Sequence, residues 1–183
     1  VKTTTHFFVT KTKGAKVKKF LLAGILLALI ASIGMGGNHV VQAQSAASVV
    51  INEYDQNPVG NDNKKSVEEW VELLNRTNFD IDIGGWVVES THGANTGRIE
   101  IPQGTIIKAG GYDIVKRGAQ WLDNTEMIIL WDANGVEIDR TALTDDDKND
   151  ERSWQRCANG HDSNSSSDWR FRIHTPGASN DCK

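Results

Sequence analysis

From Val49 onward the chain consists of short apolar runs separated by clusters of Gly, Pro, Asn and Asp. No segment sustains the i, i+3, i+4, i+7 spacing of an amphipathic helix. The runs cover residues 49–54, 68–75, 81–90, 98–101, 105–108, 112–116, 126–131, 136–143, 152–157 and 169–173. Turn signals fall between them every eight to twelve residues or so, the rhythm of an antiparallel sandwich or barrel. Asn134-Gly135 between two apolar runs is a strong hairpin signal, because both residues tolerate the positive φ that a tight turn demands. Gly84-Gly85 just before Trp86 lets the backbone bend and turn the indole inward. About 130 residues of this kind bury a single core. All six tryptophans lie after residue 48, and their expected place is between two sheets.

Charge divides the chain unevenly. Six of the 20 Lys and Arg residues are lysines within the first 48 residues, where no acid occurs. The remainder has 14 basic against 24 acidic side chains, about −10 net. Such a body repels phosphate backbones, so nucleic acid is not an expected partner. The leading residues combine a lysine-bearing segment (1–19), an apolar run (20–35) and a small-residue site with Val41 and Ala43 at positions −3 and −1. This is the three-part pattern of a secretory signal peptide, read as residues 1–43 in a hydrophobic helix followed by a short linker over 44–48. The competing reading is an uncleaved membrane anchor. Its apolar run is shorter than the ~20 residues that a bilayer requires. Either reading places the body outside the cell.

Several ordered motifs carry a family resemblance. Ile51-Asn52-Glu53, Glu69-Trp70-Val71-Glu72-Leu73 with Asn75, and Ile81-Asp82-Ile83-Gly84-Gly85-Trp86 resemble the opening of a lamin tail domain of the prokaryotic secreted type. Ile101-Pro102, Ala109-Gly110-Gly111-Tyr112 and Leu122-Asp123-Asn124 continue the similarity, followed by Met127 to Asp132 with Gly135 and Asp139. Ser153-Trp154-Gln155-Arg156 and Thr175-Pro176-Gly177 with Asn180 resemble its closing motifs. The resemblance spans residues 49–180 and leaves 181–183 as a tail. It implies an all-β, immunoglobulin-like antiparallel sandwich without an intrinsic catalytic site. It does not carry over the family's nuclear filament role, since no coiled-coil rod precedes the domain.

Candidate chemistry is sparse. Cys157 and Cys182 are the only cysteines, and export would place them where disulfides persist. The densest acidic run, residues 143–151, offers Asp145, Asp147 and Asp150 as hard oxygen ligands for calcium, with Asp55 or Asp62 as helpers. An EF-hand register fails there, because Asp150 replaces the required glycine and Arg156 the required glutamate. The alternative is a solvated loop, and no other cofactor is expected. Asn75 and Asn164 both head glycosylation sequons, with Asn164 in the more polar surroundings and Asn75 also placed to cap a turn. Glu72, set among apolar neighbours, is expected to pair with Arg140 or Arg156. His161 with Asp162, and His174 with Asp168, are the only His–acid combinations worth considering for catalysis, and no catalytic motif surrounds them.

The function expected on these grounds is non-catalytic binding outside the cell. The partner would be an extracellular protein or surface polymer, reached through the loops 55–66, 143–151 and 159–168. The membrane enters only through an uncleaved leader. A metal-dependent hydrolase or nuclease built on the acidic loop, and a self-associating envelope subunit, are the alternatives.

Overall fold

The computed structural model describes residues 48–62, 64–93, 96–118 and 120–183. The leader read over 1–43, and most of the linker, lie outside the described residues. Thirteen strands are present among the described residues. They are β1 Val49–Asp55, β2 Trp70–Asn75, β3 Ile81–Asp82, β4 Val87–Ser90, β5 Arg98–Glu100, β6 Ile106–Ile107, β7 Tyr112–Lys116, β8 Thr125–Glu126, β9 Ile128–Trp131, β10 Glu137–Arg140, β11 Thr144–Asp145, β12 Arg152–Arg156 and β13 Trp169–Ile173. A five-stranded sheet, β13-β12-β1-β2-β7, faces a four-stranded sheet, β10-β9-β4-β5. Two small ribbons, β11-β8 and β3-β6, accompany them, and every pairing is antiparallel. The all-β expectation is therefore met by an immunoglobulin-like sandwich.

The strand pattern of β1 explains the centre of the molecule. Val49 and Ile51 point into the core, and strict alternation would send Glu53 after them. The register slips between Ile51 and Glu53, so that Asn52 is the extra residue of a bulge. The slip reverses the alternation, and Tyr54 rather than Glu53 joins Val71, Leu73, Trp86, Val88, Leu130 and Trp169 in the core. Glu53 and Asn52 go to the outer face, where they remain fully buried.

Residues 81–90 do not form one bent strand. A turn closed by Trp86 N–H to the Ile83 carbonyl (3.0 Å) divides them, and Gly85 sits there at φ +79°. Only glycine takes that conformation at little cost. β3 then pairs with β6, while β4 crosses into the second sheet against β5 and β9. Trp86 does turn inward, with 6% of its surface exposed. Trp70, Trp121 and Trp169 are likewise buried, whereas Trp131 and Trp154 keep a partly open face. The acidic run begins with a short strand, β11, that the residue pattern did not announce.

Candidate functional site

Six motif residues of the family resemblance, Asn52, Glu53, Glu72, Thr175, Gly177 and Asn180, meet on the outer face of the five-stranded sheet. Glu53 and Glu72 stand opposite one another on β1 and β2, both fully buried. The C-terminal segment after β13 folds over them. Thr175 donates its N–H to Glu53 Oε1 (2.7 Å) and its hydroxyl to Oε2 (2.8 Å), and Gly177 N–H donates to Glu72 Oε2 (2.6 Å). Asn52 Nδ2 donates to Glu72 Oε1 (2.9 Å), and Gly160 N–H donates to Asn52 Oδ1 (2.8 Å). Asn180 Nδ2 reaches the carbonyls of Asn52 and Arg156 at 2.9 and 2.8 Å. The expected arginine partner of Glu72 is thus absent among its contacts, and amide donors take its place. Burial pushes its carboxyl up to about 7, against the Asn52 and Gly177 bonds that favour the ionised form.

Arg156 is committed elsewhere. Its side chain is 99% buried, donates from Nη2 to both oxygens of Asp139 (2.9 and 2.8 Å), from Nη1 to Asp162 (2.9 Å) and from Nε to the Ile51 carbonyl (2.7 Å). It also stacks on Trp169 at 4.7 Å. Arg140 pairs with its neighbour Glu137 on the surface. Cys157 and Cys182 form the expected disulfide, with their Cα atoms 5.4 Å apart, and so pin the end of the covering segment.

The three loops expected to recognise a partner behave differently from one another. The first two are tied together. Asn149 bonds both polar groups of Gly60 (2.9 and 2.8 Å) and the Pro58 carbonyl (3.0 Å), and Asn57 Nδ2 donates to the Asp146 carbonyl (3.1 Å). Asp55, Gln56, Asn57 and Asp146 are buried, so only the outer parts of these loops are accessible. Between them and β2 lies an open cleft of about 300 Å³, lined by Asp55, Val59, Ser66, Trp70, Glu151 and His174 among others. Burial pushes the Asp55 carboxyl up to about 8 and Asp146 to about 6. The third loop, 159–168, is organised by Asp168, which accepts from Ser163 N–H (2.7 Å) and hydroxyl (2.6 Å) and closes a capping box with Ser165.

The proposed calcium ligands are dispersed. Asp145 accepts from the Thr125 hydroxyl (2.6 Å), Asp147 pairs with Lys148 (2.9 Å) and Asp150 with Arg152 (2.6 Å). Among the described residues no three His, Cys, Asp or Glu side chains are grouped to hold a metal. His174 does not meet Asp168. It lies 4.0 Å from Asp55 and tilts toward Trp70, while His161 is the histidine beside Asp168, at 3.6 Å. Of the two sequon asparagines, Asn164 is exposed at φ 56°. Asn75 is fully buried, with its amide nitrogen bonded to the carbonyls of Phe79, Ile107 and Lys108 and its oxygen accepting from Thr77. In the folded chain that nitrogen is enclosed, and Asn75 caps the turn that follows β2.

Sequence reasoning missed Asp139 and Asp162 as partners of Arg156, and it missed Asn52 and Asn180 as the joint between the bulge and the C-terminal segment. The signal available for Asn52, Asp139 and Asn180 was membership of the ordered motifs; Asp162 lies in none of them. The chain matches the family model of the lamin tail domain over residues 42–145. No curated protein matches it. A match over more than half of the chain defines its class: the chain belongs to the lamin tail domain family. The sandwich continues past the matched segment, because β12 pairs directly with β1 and β13 pairs with β12.

Proposed function

We propose that the chain is an exported, non-catalytic lamin tail module that binds a protein or surface polymer outside the cell. The observation that carries this reading is the Cys157–Cys182 disulfide, since such bonds persist in oxidising compartments. Among the described residues no helix is long and apolar enough to cross a membrane. Support for binding comes from the cleft between the two tied loops. Trp70 and His174 offer ring surface there, and Asp55 and Glu151 offer acceptors. Loops held on a rigid sandwich are the usual carriers of recognition.

The test is the intact mass of the protein recovered from outside the producing cells, with and without reductant. The expected species begins at Gln44 and gains the mass of two hydrogens on reduction. Retention of the whole chain inside the cell with two free thiols would sink the export reading. Cross-linking on intact cells, with and without Trp70→Ala, then reports whether the cleft contacts a partner.

A further inference from the structure

The two outer edges of the five-stranded sheet are not equivalent. On β13 the Asp168 carbonyl accepts from Cys157 N–H, so alternate residues Trp169, Phe171 and Ile173 present their backbone groups outward. Arginines block that edge: Arg170 Nη1 donates to the Trp169 carbonyl (2.8 Å) and Arg172 Nη1 to the Phe171 carbonyl (3.3 Å). Charged side chains laid over an edge are a usual protection against strand addition. On β7 the Gly111 carbonyl accepts from Asn75 N–H, which leaves the backbone groups of Tyr112, Ile114 and Lys116 directed away from β2. No such block covers them among the described residues.

The surroundings of β7 are also apolar. A groove of about 360 Å³ separates it from β5, lined by Ile99, Ile101, Pro102, Ile114 and Val115 with Asp113. Ile114 stands 38% exposed there. Asp113 is half-buried, with no hydrogen bond or cation near enough among the described residues to offset the burial that pushes its carboxyl up. Arg117 follows on the same side of the strand, lies over Gly97 and makes one bond, to the Gln120 carbonyl (3.2 Å).

We propose that β7 is a self-association edge that pairs antiparallel with β7 of a second copy about a two-fold axis at Val115. The register follows from the two half-used charges. In a two-fold antiparallel pair, residues facing each other lie on one face of the sheet. Centring on Val115 sets Asp113 opposite Arg117 of the second copy, twice, and sets Ile114 opposite Lys116. The outward N–H and C=O groups of Ile114 and Lys116 then bond one another across the axis, as the narrow pairs of an antiparallel ladder require. An isologous contact of this kind is closed, so it gives a dimer and not a fibre. The proposal stands apart from the binding reading above, because the tied loops and the cleft are built from other strands.

The experiment is sedimentation velocity over a wide concentration range on four proteins: wild type, Asp113→Arg, Arg117→Asp and the double swap. The wild type is expected to dimerise. Each single reversal sets like charges opposite each other and is expected to weaken the dimer by about tenfold or more. The double swap is expected to restore it, a rescue that a merely destabilised fold does not show. A wild type that stays monomeric near millimolar concentration overturns the proposal. So does a dimer that neither reversal weakens, and so does a double swap no better than the single variants.

Discussion

At the scale of single residues, the molecule depends on buried polar side chains such as Asn52, Glu53, Glu72, Arg156 and Asn180, which bond to one another and to backbone groups. Arg156 shows why such a residue cannot be exchanged. It joins the Ile51 carbonyl at the bulge, Asp139 on β10, Asp162 in the third loop and the face of Trp169. Truncation removes the cation and leaves a buried carboxylate without its counter-charge. Arg156→Ala is therefore expected to cost about 3–5 kcal/mol in urea denaturation. Arg156→Lys should recover little of that, because one ammonium cannot reach Asp139, Asp162 and the Ile51 carbonyl together, as the three nitrogens of the guanidinium do. A loss below about 1 kcal/mol, the value of an exposed pair, would show that the network is peripheral. These partners were not legible in the residue order. Glu72 illustrates the difficulty: a lone acid among apolar residues signals that a partner exists, but its donors are the Asn52 amide, 20 positions before it, and the Gly177 peptide, 105 after it.

At the scale of elements, the segment after β13 behaves as a cover for β1 and β2. Its peptide N–H groups and the Thr175 hydroxyl bond to Glu53 and Glu72, and the disulfide, between cysteines 25 positions apart, holds it there. In the chain-entropy account a loop of this length is worth about 3 kcal/mol, by restricting the unfolded state. The paired variant Cys157→Ser/Cys182→Ser is expected to lose about that much in a denaturant titration while keeping the strand signal in circular dichroism. An unchanged midpoint would mean that Asn180 and Thr175 hold the cover unaided. The bulge at Asn52 is the other element-level device. It converts a strand that would bury a glutamate in the core into one that buries Tyr54 instead, with its hydroxyl bonded to Thr144 Oγ1 at 2.6 Å.

At the scale of the whole molecule, burial outweighs the bonds and charges that favour the ionised form of several carboxyls, and this fixes the direction of the pH dependence. Burial raises Asp55 from 3.8 to about 8, Glu69 from 4.5 to about 7, Glu72 from 4.5 to about 7 and Asp146 from 3.8 to about 6. Between the unfolded and folded values the native state holds protons that the unfolded chain has released. Their contribution to stability is fully present below the unfolded values and is lost as pH rises through 6 to 8. Asp168, held low by bonds from Ser163 and Ser165, acts oppositely and matters only in stronger acid. The urea midpoint is therefore expected to fall between about pH 5 and pH 8.5, and Asp55→Asn should flatten that fall. A midpoint that rises over the same range would contradict the picture of carboxyls buried in protonated form.

The order of residues alone determined the class of this protein. Short alternating runs, Asn134-Gly135 and Gly84-Gly85 prescribe strands and turns locally, because backbone geometry and side-chain alternation act over a few residues. The ordered motifs and the two cysteines added the family and the disulfide. Tertiary structure alone decided the rest. Whether residues 81–90 stay in one sheet, whether Asn75 is free or caged, and whether two polar loops stand apart or are tied by Asn149 depend on contacts between distant strands. Such contacts are chosen by which buried polar groups can be satisfied together in three dimensions, and residue spacing carries no record of that choice.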